Sequence, residues 1–411
     1  GIIWVHLMTK AVAIKVMILT PAFRNMDASL EDASRVSGAS SIMTLIRITV
    51  PVMTPAIVVM LLLSLLFTFQ SVEIELILGL RDRFFVFGSK IFDLTRLEPP
   101  QYGQATSLGL VVAMVSLPLI FTQRWISTRR NYTTLSGKYQ AQLIPLGSWK
   151  WPAFGALLSF GLMITLVSLV FLVMGTFMKI FGFFDIPSGS WTLKWWRIVL
   201  GDPIFFRALK NTLILALGSA TLTTIVVTLV AYFIVRSRSR LAPIIDTLTW
   251  IPNALAGIVI ALAWLWIFLQ TPFLRPLFGT IWALVIVAGL SGLTLGVQIV
   301  KANVLQISKE LEEASLVTGG GMFLTFRKII IPLLIPTMLV VWIINFVLAS
   351  GNAIMPALLS TPNSQPLASV QLQNVLAGQN EAGAVVGIIV VAIALGVALV
   401  ARSVGLRIRV G

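Results

Sequence analysis

"LEEASLVTGGGMFLTFRKIIIPLLIPTMLVVWIINFVLAS", residues 311–350, changes character halfway along. From Pro332 onward it carries no charge, and about 18 such apolar residues in succession read as a helix that crosses a bilayer. Ahead of it, Glu312, Glu313, three glycines at 319–321 and the basic pair Arg327–Lys328 form a polar island. The rest of the chain resembles the apolar half. Of 411 residues 57% are hydrophobic and 11% charged, with mean hydropathy +0.96, against about 25% charged in soluble domains. The fold class is therefore all-α, a polytopic transmembrane helical bundle whose solvent is lipid.

Apolar runs with polar flanks place spans near 2–20, 52–72, 105–123, 152–176, 211–235, 243–269, 280–300, 333–350 and 384–401. The net charge of +15 raises nucleic acid as a partner, but the Lys and Arg residues sit mainly in short segments between spans, as the positive-inside rule requires. No nucleic-acid partner is expected. Arg124, Arg129, Arg130, Lys138 and Lys150 mark one inner segment, Arg236, Arg238 and Arg240 a second, and Arg402, Arg407 and Arg409 a third. This orientation puts the C-terminus and the polar island in the cytoplasm. Lys10 and Lys15 fall within the first run, where a polar path, snorkelling to the interface or a first span drawn too long are the alternative readings. There is no Cys and a single His, His6, so no disulfide, zinc or iron–sulfur site is expected from this chain, and His6 reads as a packed helix residue.

The island occurs twice. "LEDASRVSGASSIMTLIRITVPVMTP", residues 30–55, aligns without gaps on residues 311–336 at an offset of 281. Leu30/Leu311, Glu31/Glu312, Ala33/Ala314, Ser34/Ser315, Val36/Val317, Gly38/Gly319, Thr44/Thr325, Ile48/Ile329, Pro51/Pro332 and Pro55/Pro336 are identical pairs. Fewer spans precede the first island than the second, so the first half is expected to be N-terminally truncated by about three spans. Ser29 and Ser308 suit helix N-caps, with acids in the first turn favoured by the helix dipole. Gly38 and Gly319 suit helix ends, where a left-handed residue is needed. Each island thus reads as a short surface helix, a glycine turn and a basic residue at the headgroups before the chain re-enters lipid. Two copies at one spacing point to an exposed docking element rather than a capped loop.

Both islands resemble the cytoplasmic "EAA" loop of ATP-binding-cassette (ABC) importer permeases, with the pattern Glu-Ala-Ala, three residues, Gly, nine residues, Ile, any residue, Leu, Pro. In the second island this falls on Glu313, Ala314, Ser315, Gly319, Ile329, Ile331 and Pro332, and in the first on Asp32, Ala33, Ser34, Gly38, Ile48, Val50 and Pro51. Ser replaces the second Ala in both, Ile or Val replaces Leu, and Asp replaces Glu in the first. The resemblance implies that these residues, with Glu31 and Glu312, dock on a separate ABC ATPase subunit, itself a dimer. It implies two tandem parallel permease domains: residues 1–123 with a coupling loop at 27–51, a cytoplasmic linker at 124–150, and residues 151–411 with a coupling loop at 308–332. A periplasmic binding protein would deliver the solute, in a bacterial cytoplasmic (inner) membrane, with ATP held by the partner and no cofactor on this chain. "IPNALAGIV" at 251–259 and "PPQYGQATSLGL" at 99–110 resemble the ferric-iron permease group most, with polyamine, thiamine and phosphonate permeases as alternatives.

A solute path needs small or polar residues at membrane depth. Ser64, Gln70, Ser71, Glu73 and Glu75 follow the first island, and Asn345, Ser350, Gly351 and Asn352 the second, with Ser64 opposite Asn345 and Ser71 opposite Asn352 at the same offset. Packing between helices is the competing role. There is no Gly-x-x-x-x-Gly-Lys-Ser/Thr phosphate loop and no catalytic cluster, so the chain is not expected to be an enzyme. An ion-coupled secondary transporter fits less well, because its repeats are often inverted and its ionisable residues lie deep in the spans.

Overall fold

The structure is a computed structural model that describes residues 2–8, 12, 16, 19–20, 33–34, 36–79, 84–129, 147–182 and 191–410. The chain divides into two compact units, residues 1–170 and 171–411. Among the described residues every regular element is helical, apart from two isolated bridges, Met178 with Trp191 and Gly279 with Ser360. Among the described residues five helices are long and apolar enough to cross a membrane: Tyr102–Gln123, Gly147–Phe177, Pro203–Arg236, Phe323–Gly351 and Asn380–Ala401. Three bent pairs pass the same test: Met60–Phe69 with Glu73–Gly79, Ala242–Asn253 with Gly257–Gln270, and Ile281–Ser291 with Leu293–Gln306. These eight coincide with eight of the expected spans. The remaining one, near 2–20, lies largely outside the described residues, as do Lys10 and Lys15.

Two features depart from the apolar-run reading. The helix expected from 211 begins at Pro203, because Asp202 caps it by accepting a hydrogen bond from Ile204 N (2.8 Å) and proline suits the first helical position. Arg207 and Lys210 therefore lie on a helix rather than in a loop. Arg207 Nη1 donates to Asn363 Oδ1 (2.9 Å) and Asn211 Nδ2 to the carbonyls of Asn363 and Gln365 (2.9 and 3.1 Å), so the helix start ties down the loop at 360–366. The second departure is the run near 280–300. It is two helices bent by 49° at Gly292, a break that hydropathy does not register.

In the second unit the long helix Pro203–Arg236 is central. Its Val227 and Ala231 pack with Val297, Val300 and Val304 of Leu293–Gln306 and with Leu334 and Val341 of Ile331–Gly351. Higher up, Ala216 and Ala220 receive Phe346. Small residues at such contacts let helices approach where lipid gives no hydrophobic drive. The buried hydroxyls of Thr212, Thr223, Thr224 and Thr228 each lie within hydrogen-bond distance of a carbonyl four residues back, which satisfies them away from water.

The first unit places Val50–Phe69 and Phe87–Arg96 against Tyr102–Arg129. His6 is a packed helix residue, as expected, but its contact is polar: Nε2 lies 2.5 Å from Glu75 Oε1, and Glu75 is 3% exposed.

Candidate docking site

The second island builds outward from its caps. Ser308 Oγ accepts from Glu310 N (3.2 Å), opening the helix Lys309–Val317. Gly319 ends it at φ +84°, and Gly320 N donates back to Ser315 O (2.8 Å), the long closing bond of a left-handed helix cap. A Cβ on Gly319 would meet nothing within 4 Å, so that position is required for its backbone angle alone. At Gly320 a Cβ would come within 2.6 Å of Ser315 Oγ and 2.8 Å of Ser315 O, so there the need is space. The chain then forms a short helix, Met322–Thr325, a wide π-helical turn, Phe326–Ile330, and the spanning helix Ile331–Gly351. The wide turn has a cause in the sequence: the ring of Pro332 pushes on the carbonyl four residues back, that of Lys328, and opens the ladder.

The first island repeats this at the same offset. Gly38 has φ +82°, Ala39 N donates to Ser34 O (3.1 Å), and Ser41–Thr44, a π turn at Leu45–Thr49 and Val50–Phe69 follow. Ala39 stands where the second copy has Gly320, and the closing bond there is longer, 3.1 against 2.8 Å. The correspondence continues: Glu73–Gly79, Phe87–Arg96 and Tyr102–Arg129 match Ile354–Leu359, Leu367–Leu376 and Asn380–Val410.

One departure from the family pattern has a structural partner. Ser315 Oγ shares a 2.7 Å hydrogen bond with Thr325 Oγ1, and Ser34 Oγ one of 2.9 Å with Thr44 Oγ1. Each pair latches the short helix to the segment that returns to the membrane. Ser315→Ala and Thr325→Val are each expected to cost the loop about 1 kcal/mol, and the double variant no more than either alone. Hydrogen exchange at the Gly320 amide, faster by about fivefold in each variant, is the check.

The predicted docking residues divide by exposure. Glu313, Ala314, Gly319 and Pro332 are exposed, as are Ala33, Gly38 and Pro51; Ser315, Ile329 and Ile48 are partly covered and Ser34 is buried. Glu31 and Asp32 lie outside the described residues. Glu312 turns inward: Arg236 Nε and Tyr232 Oη donate to its carboxylate at 2.6 and 3.1 Å. Residue reading left out an apolar pair. Val317 is 88% exposed and Phe323 76%, and their counterparts Val36 and Ile42 are 89% and 70% exposed. The identity of Val36 and Val317 was the available signal, since an exposed valine on a polar loop has no packing reason to recur.

Of the path candidates, Asn345 is 5% exposed; its Nδ2 donates to Val341 O (2.8 Å) and its Oδ1 faces Gly292 at the helix break. Asn352 Oδ1 accepts from Met355 N (3.1 Å) and so starts the helix Ile354–Leu359. Ser71, at the matching break in the first unit, is buried with no hydrogen-bond partner for Oγ. Ser64 and Gln70 are partly covered, and the Ser64 carbonyl accepts from Thr68 Oγ1 (2.9 Å).

Comparison with known proteins places this geometry. The family described as binding-protein-dependent transport system inner membrane component matches residues 224–410, which include the second island. The chain is 26% identical over 404 residues to the ferric transport system permease protein FbpB of Actinobacillus pleuropneumoniae, covering 94% of this chain and 56% of that protein. It is 28% identical over 343 residues to the putative ferric transport system permease protein FbpB 1 of Haemophilus influenzae, covering 82% and 52%. The chain thus spans about half the length of these curated relatives. A bacterial alginate ABC transporter, solved with a pentasaccharide-bound periplasmic protein, has a chain of the same fold at TM-score 0.50 and 19% identity, covering 64% of this chain and 98% of that one. Over residues 224–410 the chain thus resembles the inner-membrane components of binding-protein-dependent transport systems, and over most of its length it is similar to ferric transport permeases.

Proposed function

We propose that this chain is part of the permease of an ABC importer that moves ferric iron from a periplasmic binding protein into the cytoplasm. Separate ATPase subunits, working as a dimer, drive it by alternating access. The observation that carries this reading is the twin loop: two islands 281 residues apart share a left-handed glycine, a Ser–Thr latch, a π turn and an exposed apolar pair. The recurrence of the exposed apolar pair at matching positions of both loops supports a protein-binding surface there. The matched helices that follow each loop support the tandem arrangement, two permease domains in parallel. On this reading both loops and the C-terminus face the cytoplasm, and the path candidates retained are the breaks at Ser71 and Asn352, with Asn345 assigned to packing.

The test is reconstitution of the full-length permease with its ABC ATPase. Wild type is expected to co-purify the ATPase, and Glu313→Arg combined with Val317→Asp to lose at least 90% of it, since buried anchors dominate such interfaces. Retention of the ATPase by the double variant overturns the docking reading. For the solute, stimulation of ATPase activity by binding protein loaded with ferric iron is compared with polyamine, thiamine and phosphonate; stimulation by one of the others alone replaces iron with that cargo.

A further inference from the structure

We infer that Arg236 is a positioning residue that binds the second coupling helix to two helices of the bundle, so that the three move as one body; this rests on the docking function proposed above. Arg236 ends the long helix Pro203–Arg236. Its Nε donates to Glu312 Oε1 (2.6 Å), in the first turn of Lys309–Val317, while Nη2 donates to Ile307 O (2.6 Å) and Val304 O (3.4 Å), the carbonyls at the end of Leu293–Gln306. Ile307 is the C-cap of that helix and its own N–H closes on Val304 O (3.3 Å), and a guanidinium is suited to cap carbonyls at a helix end. One planar group thus joins three helices, which a lysine with a single ammonium point cannot do in the same geometry.

Tyr232, one turn earlier on the same helix, grips the other side. Its hydroxyl donates to Glu312 Oε2 (3.1 Å) and its ring packs on Phe326, the first residue of the π turn, with centroids 4.9 Å apart. The coupling helix is therefore held both at its first turn and where its loop returns to the membrane. Without this grip the described links that hold it would be the backbone at the Ile307–Ser308 joint and the Gly319–Gly320 turn, and the Ser315–Thr325 latch to the returning segment. Both side chains of the ion pair are largely covered, 9% and 17% exposed, and such pairs hold geometry better than solvated ones. Glu313 and Ala314, the next residues, remain exposed for a partner. Glu312 thus belongs to the transmission and Glu313 to the docking face.

The experiment uses the full-length permease with its ABC ATPase and binding protein in proteoliposomes. Co-purified ATPase, basal ATPase activity and solute moved per ATP hydrolysed are measured for Glu312→Ala, Arg236→Gln, Arg236→Lys and Tyr232→Phe. Glu312→Ala and Arg236→Gln are expected to keep wild-type amounts of ATPase while solute moved per ATP falls at least tenfold. Their double variant falls no further, because each removes the same link, and Arg236→Lys recovers part of the loss, which a general folding defect would not allow. Tyr232→Phe, which keeps the ring, falls by about threefold. Wild-type coupling in Glu312→Ala, additive losses in the double variant, or loss of the ATPase itself from Glu312→Ala each overturns the inference, the last by making Glu312 a docking residue. A wild-type permease that binds no ATPase overturns the docking proposal and this inference with it.

Discussion

Gly292→Ala is expected to be among the most disruptive single-methyl changes in the second unit. A Cβ there would stand 1.9 Å from Asn345 Oδ1 and 2.9 Å from Thr223 Cγ2, which belong to two other helices. Both neighbours are tied by hydrogen bonds. Asn345 is held by its bond to Val341 O, and Thr223 Oγ1 lies 2.8 Å from both Ser219 O and Gly289 O, which share its one proton. Overpacking of this kind costs about 3 kcal/mol, read as a lowered thermal transition of the detergent-solubilised protein. Gly292→Ala combined with Asn345→Ala is expected to recover most of the loss, because the oxygen in the way is gone. Failure of that rescue would mean that Gly292 is needed for its helix break rather than for space. Asn345→Ala alone tests the role assigned to Asn345: lowered stability with unchanged solute preference fits packing, and an altered preference fits the path.

Gly319→Val has its largest effect on transport. The residue stands at φ +84° in open space, so a side chain there meets no atom, yet a β-branched residue avoids this angle. The left-handed conformation costs an L-residue about 1–2 kcal/mol, enough to favour unwinding of the cap that closes through Gly320 N and Ser315 O. With the turn lost, the docking helix no longer points where the latch holds it. Transport is expected to fall at least tenfold while the transmembrane helices stay folded. Gly319→Asn, which tolerates this angle better, is expected to keep most of the activity. Equal losses in the Val and Asn variants would shift the explanation from backbone angle to an unoccupied surface that the partner fills. The matching change at Gly38, φ +82°, addresses the first loop.

Much of this architecture was legible in the residues. Long apolar runs located eight spans because a bilayer demands about 20 apolar residues for each crossing, and the repeat offset located both loops because identical residues recur there. What escaped was anything set by side-chain fit. Gly292 lies in an apolar run, and hydropathy shows neither the bend there nor the approach of Asn345 and Thr223 that leaves no space for a Cβ. Asn345 and Ser64 are matched in the repeat, but periodicity cannot show that the Asn345 amide donates to Val341 O in its own helix. Glu312 and Glu313 are adjacent acids in one turn, and no pattern separates the one gripped by Arg236 from the one left open. Serine at the family's second alanine looked like a mild departure until its threonine partner, ten residues on in both copies, came within hydrogen-bond reach.

The wide turn before each spanning helix gives the fixed glycine-to-proline spacing a meaning in angular phase. An α-helix advances by about 100° per residue, so a loop one residue longer would ordinarily rotate every side chain beyond it to a different neighbour. A π turn absorbs one surplus residue without passing that rotation on. Leu45–Thr49 and Phe326–Ile330 each do this immediately ahead of a membrane-crossing helix. The face that each crossing helix presents is thereby indexed to its glycine, and a turn of the docking helix becomes a turn of known angle in the membrane.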